Sequence, residues 1–168
     1  MTATPIPRTL ELTTYGSMSV SKITEKPVGR QSIKTAAKPI TKLEETIISL
    51  KKTIKQNKKI YWVCPLIEES EKIDLAAAQQ RYEALQKCYP NNVLLIHGKM
   101  KSDERDEIMN KFKYGKTKIL VSTTVIEVGI DIPEATVMVI EHAERFGLSQ
   151  LHQLRGRVGR GSSQSSCL

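Results

Sequence analysis

Residues 118–133 read KILVSTTVIEVGIDIP. The opening KILVS is apolar and β-branched with no polar alternation, the pattern of a strand buried on both faces. Two threonines, a glycine, an aspartate and a proline follow. That ends the strand in a loop of small and polar residues. A buried strand running into such a loop predicts a parallel sheet with functional residues at the strand ends.

The same pattern recurs on either side. IYWVCPL (60–66), VLLIH (93–97) and ATVMVIE (135–141) predict three more strands. Trp62 and Tyr61 lie inside the first of these and are expected in the core. Between them the apolar residues fall at helical spacing. One helix follows Pro39, with Leu43, Ile47, Leu50 and Ile54 on one face and Thr41 and Glu44 as a capping box. A second runs from Asp74 to Tyr89 with Leu75, Ala78, Tyr82 and Leu85 on its apolar face. A third starts near Ser102, a candidate cap with Asp103 and Glu104 in the first turn, and ends at Gly115. A short fourth spans Ser149 to Arg155. Two short extended segments are expected within 16–40. The terminal serines are read as low complexity. The expected fold class is α/β, one parallel sheet with helices on both faces.

The chain has 168 residues and a formal net charge of +8, which favours polyanionic partners, nucleic acid first and anionic membrane second. No apolar run approaches the ~20 residues of a membrane span, and the amino terminus lacks the pattern of a secretory signal. Cys64, Cys88 and Cys167 are odd in number and far apart, which suits a reducing cytoplasm better than a disulfide framework or a zinc site. No metal site is expected.

Four loops are placed at the carboxyl ends of strands by the rule for parallel sheets. After 60–66 come Glu68, Glu69 and Ser70. After 93–97 come Gly98, Lys99 and Met100. The third loop holds Thr123 and Thr124, whose hydroxyls suit phosphate oxygens; Gly129, which permits close backbone approach; and Asp131, which can accept from ribose hydroxyls or simply turn the chain before Pro133. The fourth is QLRGRVGRG, with Arg155, Arg157 and Arg160 within six residues. Arginine offers a planar, permanently charged fork matched to phosphate, although R-x-R-x-x-R by itself also fits a nuclear-localisation or RNA-binding patch.

Taken together, TATP, PLIEES, HGKM, STTVIEVGIDIP and QLRGRVGR, in that order, resemble the second motor lobe of superfamily 2 helicases. Within the superfamily, YWVCPLIEESE and HQLRGRVGRG are most similar to the bacterial branch-migration DNA helicases, with the transcription-repair coupling factors as near neighbours. The resemblance implies a single RecA-like lobe. It implies a connector over residues 1–15 and the lobe over 16–168, truncated at its carboxyl-terminal end. Thr2, Ala3 and Thr4 match the motif coupling nucleotide state to DNA grip. His97, Gly98, Lys99, Thr123 and Thr124 match nucleic-acid contacts. Gly129, Asp131, Gln153 and Gly156 match positions facing ATP, and Arg157 and Arg160 the arginines that reach its phosphates. Arg155 has no role in the motif. Leu154 stands where many RNA-helicase relatives have arginine, which leans towards DNA.

The resemblance further implies ATP and Mg2+ as cofactors, bound mainly by a first lobe. The implied partners are branched DNA, that first lobe and a wedge domain, with no membrane, in a bacterial cytoplasm. The phosphate-cradling G-x-x-x-x-G-K-[ST] loop is not in the sequence: Gly115-Lys116-Thr117 comes near it, but Asn110 stands where the first glycine is needed. The expectation is a half-motor for repair and recombination, inactive alone. The alternatives are a non-enzymatic nucleic-acid-binding module or the same lobe of a coupling factor.

Overall fold

The computed structural model describes residues 31–65, 71–123 and 132–168. Among these, six strands form one sheet: β1 (Lys34–Thr35), β2 (Lys59–Val63), β3 (Val93–Ile96), β4 (Ile119–Ser122), β5 (Ala135–Ile140) and β6 (Ser166–Cys167). Four helices connect them: α1 (Leu43–Lys55), α2 (Glu71–Cys88), α3 (Ser102–Tyr114) and α4 (Leu148–Arg155). The sheet order is β1-β6-β5-β2-β4-β3, and every pairing is parallel.

Strand alternation feeds two cores. Tyr61 and Val63 of β2 point to the face covered by α3 and α4, where Met109, Phe112, Leu154 and Val158 are buried. Ile60, Trp62 and Cys64 point to the face covered by α1 and α2, with Leu50, Ala78 and Leu85. Both faces are apolar, so β2 is buried at all five positions. This is why its sequence shows no alternation. The expected layering is therefore present, with helices on both faces of one parallel sheet.

Several local expectations need correction. Thr41 does not cap α1. Pro39 is the extended residue, Ile40–Lys42 form a 3-10 turn with the Lys42 amide on the Pro39 carbonyl at 2.9 Å, and α1 follows without a side-chain cap. Thr41 is already inside helical backbone, where it cannot cap. The start of α3 is shifted by one residue. Lys101 is the extended residue before the helix, and its amide donates to the Glu104 carboxylate at 3.2 Å, while Ser102 is the first helical residue. The terminal serines are not featureless, because Ser166–Cys167 lies between β5 and β1 in the sheet. Its two-residue length and serine content hid it. Of the two extended segments expected in 16–40, one is β1; residues 16–30 lie outside the described residues.

Candidate functional site

The arginine segment hangs from α4. Leu154 and Val158 are buried and pin it to the core. The Gly156 amide donates to the His152 carbonyl at 3.0 Å and the Arg157 amide to Leu154 at 2.9 Å, which closes the helix end into a tight turn. Gly159 then takes φ +73°, and a Cβ there would lie 2.8 Å from Ile33 Cγ1. Only glycine satisfies both constraints. A Cβ on Gly161 would come 3.0 Å from the Pro133 carbonyl. Between these two contacts Arg160 is exposed, its Nε donating to the Gly156 carbonyl at 3.3 Å. Gln153 is also exposed, and Arg157 and Gly156 are half-buried.

This placement corrects the sequence reading. Ile33 precedes β1 and Pro133 precedes β5, so the arginine turn sits at the amino edge of the sheet, not among the carboxyl-end loops. Helix α4 carries the chain back across the sheet before the turn begins. The turn abuts Pro133, at the end of the stretch that holds Gly129 and Asp131. Those two residues, with Thr124, Thr2, Ala3, Thr4 and the loop from Leu66 to Ser70, lie outside the described residues.

The second expected group does occupy carboxyl ends. The Thr123 amide donates to the Ile96 carbonyl at 3.4 Å, which brings the ends of β3 and β4 together. Gly98 and Lys99 are exposed and His97 is half-buried. Burial holds the His97 imidazole below the ordinary histidine range, so it is neutral at pH 7. Its Nδ1 is buried without a partner among the described residues. Thr123 is only 3 % exposed, so its hydroxyl is not on the surface of this lobe as it stands. Beside it the fully buried Ser122 has an Oγ without a partner among the described residues. The sequence reading passed over Ser122 as a strand residue.

A third feature was not legible at all. At the carboxyl ends of β2 and β5 the following helices leave to opposite faces, which opens a crevice there. Glu141 lies in it. Its carboxylate accepts from Trp62 Nε1 and from Arg81, with Arg81 Nε at 2.5 Å and Nη2 at 3.1 Å. The next residue, His142, takes φ 50° and ψ 52°, a left-handed corner that costs a non-glycine residue about 1 kcal/mol or more. A cleft of about 820 Å3 opens beside this corner, lined by Pro39, Leu43, His142, Leu148 and Arg155. Arg155, which the motif left without a role, has a buried Nε with no partner among the described residues.

Chemically, the arginine turn offers two guanidinium groups on a rigid mount, and that donor set fits anionic phosphate. Among the described residues, no group of three or more His, Cys, Asp or Glu side chains gathers as metal ligands. No described helix is long and apolar enough to cross a membrane.

Residues 39–162 match the family described as the helicase conserved C-terminal domain. The ATP-dependent DNA helicase RecG of Synechocystis sp. is 54 % identical across the whole chain, which spans 20 % of that protein. RecG of Bacillus subtilis is 52 % identical across the whole chain, which spans 25 % of it. A solved structure of RecG bound to a three-way DNA junction superposes with a TM-score of 0.78 at 44 % identity, over 98 % of this chain and 21 % of that one. The chain thus spans between a fifth and a quarter of the curated relatives.

Proposed function

The chain belongs to the helicase conserved C-terminal domain family, and from that membership we propose that it is the second motor lobe of an ATP-dependent DNA helicase of the RecG type, remodelling branched DNA in repair and recombination. The observation that carries this reading is the mounting of the arginine turn. Gly159 against Ile33 and Gly161 against Pro133 hold the segment of Arg157 and Arg160 beside Pro133, two residues after Asp131 in the sequence. ATP phosphates held by a first lobe would meet these arginines when the lobes close. Their role is to stabilise charge that grows on the phosphoryl oxygens in the transition state. Gln153 and Gly156 would face ATP from the same segment. Asp131 and Gly129 would face the nucleotide, and Thr2, Ala3 and Thr4 would couple its state to the DNA.

DNA is assigned to the carboxyl-edge loops through His97, Gly98, Lys99 and Thr124, with the buried Thr123 tying the ends of β3 and β4 beneath them. The donors there suit backbone contact, so binding by this chain should be weak, about 10⁻⁴–10⁻⁶ M, salt-sensitive and indifferent to sequence. Magnesium is assigned to the first lobe with the phosphate-cradling loop, and the lobe alone hydrolyses no ATP. The test is Arg160→Ala in the complete motor. Single-turnover hydrolysis should fall by about 10³-fold or more while ATP affinity stays within a few-fold. Hydrolysis that survives the substitution refutes the reading.

A further inference from the structure

The amino edge of the sheet carries a second basic surface, which runs from the start of β5 across β2 and β4 towards β3. Strands β5, β2, β4 and β3 begin there side by side, tied by the Lys59 amide on the Glu134 carbonyl at 2.8 Å, the Ile60 amide on Lys118 at 2.8 Å and the Lys118 amide on Asn92 at 3.0 Å. Lys58, Lys59 and Lys118 therefore lie on neighbouring strand starts. The end of α3 arrives at the same corner, because the buried Lys59 ammonium donates to the carbonyls of Phe112, Lys113 and Gly115. That brings in Tyr114 and Lys116. Among the described residues Glu134 is the acidic group at this edge, and Lys111 is paired with Glu107 at 2.6 Å.

Two facts set this corner apart from an ordinary solvated face. Lysines in the last turn of a helix complement its dipole, which accounts for Lys111 and Lys113. Lys58, Lys116 and Lys118 lie outside any helix and gain nothing from that effect, and among the described residues none of them is in an ion pair. Burial, with Lys118 nearby, holds the Lys59 ammonium below the ordinary lysine range. The second fact is Tyr114, 77 % exposed at the rim, with the Lys113 ammonium 5.1 Å from its ring centre. An exposed ring flanked by unpaired cations is the combination that binds a single strand, with phosphates on the cations and a base on the ring.

We propose that Tyr114, Lys58, Lys116 and Lys118 form a contact surface for single-stranded DNA, on the edge of the lobe opposite His97, Gly98, Lys99 and Thr123. The proposal rests on the reading of this chain as a DNA-binding lobe. A strand held at the carboxyl edge would not cover this corner, so it would serve a second stretch of DNA.

The test uses the purified chain and two probes, a fluorescein-labelled single strand of about 20 nucleotides and the matching blunt duplex, titrated from roughly 50 to 200 mM salt. Three substitutions together, Lys58→Gln, Lys116→Gln and Lys118→Gln, should lower the log–log salt slope for the single strand by about 2, at roughly 0.7 per phosphate contact. Tyr114→Ala should weaken single-strand binding about fivefold or more and leave the duplex within about twofold. If the triple variant does not fold, Tyr114→Ala with Lys116→Gln, both at exposed positions, decides by the same readings. Wild-type binding with an unchanged slope in the variants overturns the proposal and leaves the DNA reading standing. A Tyr114→Ala effect equal on both probes, or displacement by polyglutamate as effective as by DNA at equal charge, also overturns it. A wild-type chain that binds neither probe overturns both.

Discussion

Arg81 and Glu141 form a two-point ion pair across the sheet edge, with Arg81 Nε 2.5 Å from Oε1 and Nη2 3.1 Å from Oε2. The carboxylate is 9 % exposed and also accepts from Trp62 Nε1, so one group ties α2, β2 and the exit of β5. Removing the carboxylate strands a buried indole N–H and a largely buried guanidinium. Glu141→Ala should therefore cost about 3 kcal/mol, the low end for a broken buried pair because Arg81 keeps some contact with water. Urea denaturation followed by fluorescence of Trp62, the chain's single tryptophan, measures it. A loss under about 1 kcal/mol would place the pair with ordinary surface bridges.

Lys59 is 4 % exposed and caps the carboxyl end of α3 with its ammonium on three carbonyls. Lys59→Met should cost about 1–3 kcal/mol through those unsatisfied acceptors. The pH dependence has a definite sign. Burial and Lys118 lower the folded pKa below 10.5, so between the two values the unfolded chain binds more protons than the folded one. Stability of the wild type should rise with pH through that alkaline window relative to the methionine variant. Chemical denaturation of both chains at neutral and alkaline pH is the check, and a gap that narrows with pH would contradict it.

The layering was legible because β2, β3, β4 and β5 are short apolar runs and the helices show clear apolar faces. Boundaries slipped where side-chain identity underdetermines the backbone, as at Thr41 and Ser102. Strand β6 escaped because two residues of serine and cysteine carry no pattern. The members of the arginine turn could be named from spacing, but its edge could not. That depends on the path of α4 across the sheet, which only contacts such as Gly159 with Ile33 reveal. Glu141 with Arg81 was invisible for the same reason, being a pair 60 residues apart.

The three cysteines report the fold chemically. Cys64 and Cys167 are buried and Cys88 is exposed. Burial, with Glu141 nearby, pushes the Cys64 thiol up to about 12, and burial also raises Cys167. Only the thiolate attacks alkylating reagents. At pH 8 iodoacetamide should label Cys88 promptly and reach the other two only on unfolding. Peptide mass mapping over time reads this directly, and early labelling of Cys64 would mean that β2 is not the buried strand it is here.

Gly159 offers the sharpest test of the arginine turn. Its φ of +73° disfavours any Cβ, and a Cβ would sit 2.8 Å from Ile33 Cγ1 and 3.2 Å from its Cδ1. Gly159→Ala should cost the isolated chain about 2–3 kcal/mol, roughly half from backbone strain and half from the clash. Ile33→Ala removes the clashing atoms and leaves the backbone angle as it was. The double variant should therefore recover about 1 kcal/mol relative to the sum of the single losses. Purely additive losses would mean that the turn does not rest on Ile33. The functional consequence follows from position, since Arg157 and Arg160 flank this glycine. In the complete motor, Gly159→Ala should lower ATP turnover on the order of 10-fold to 100-fold through misplacement of the guanidinium groups. Combined with Arg160→Ala it should add little, because two changes acting through one group are not additive. Turnover that falls independently in the double variant would make Gly159 a determinant of stability alone and separate the mount from the arginines it holds.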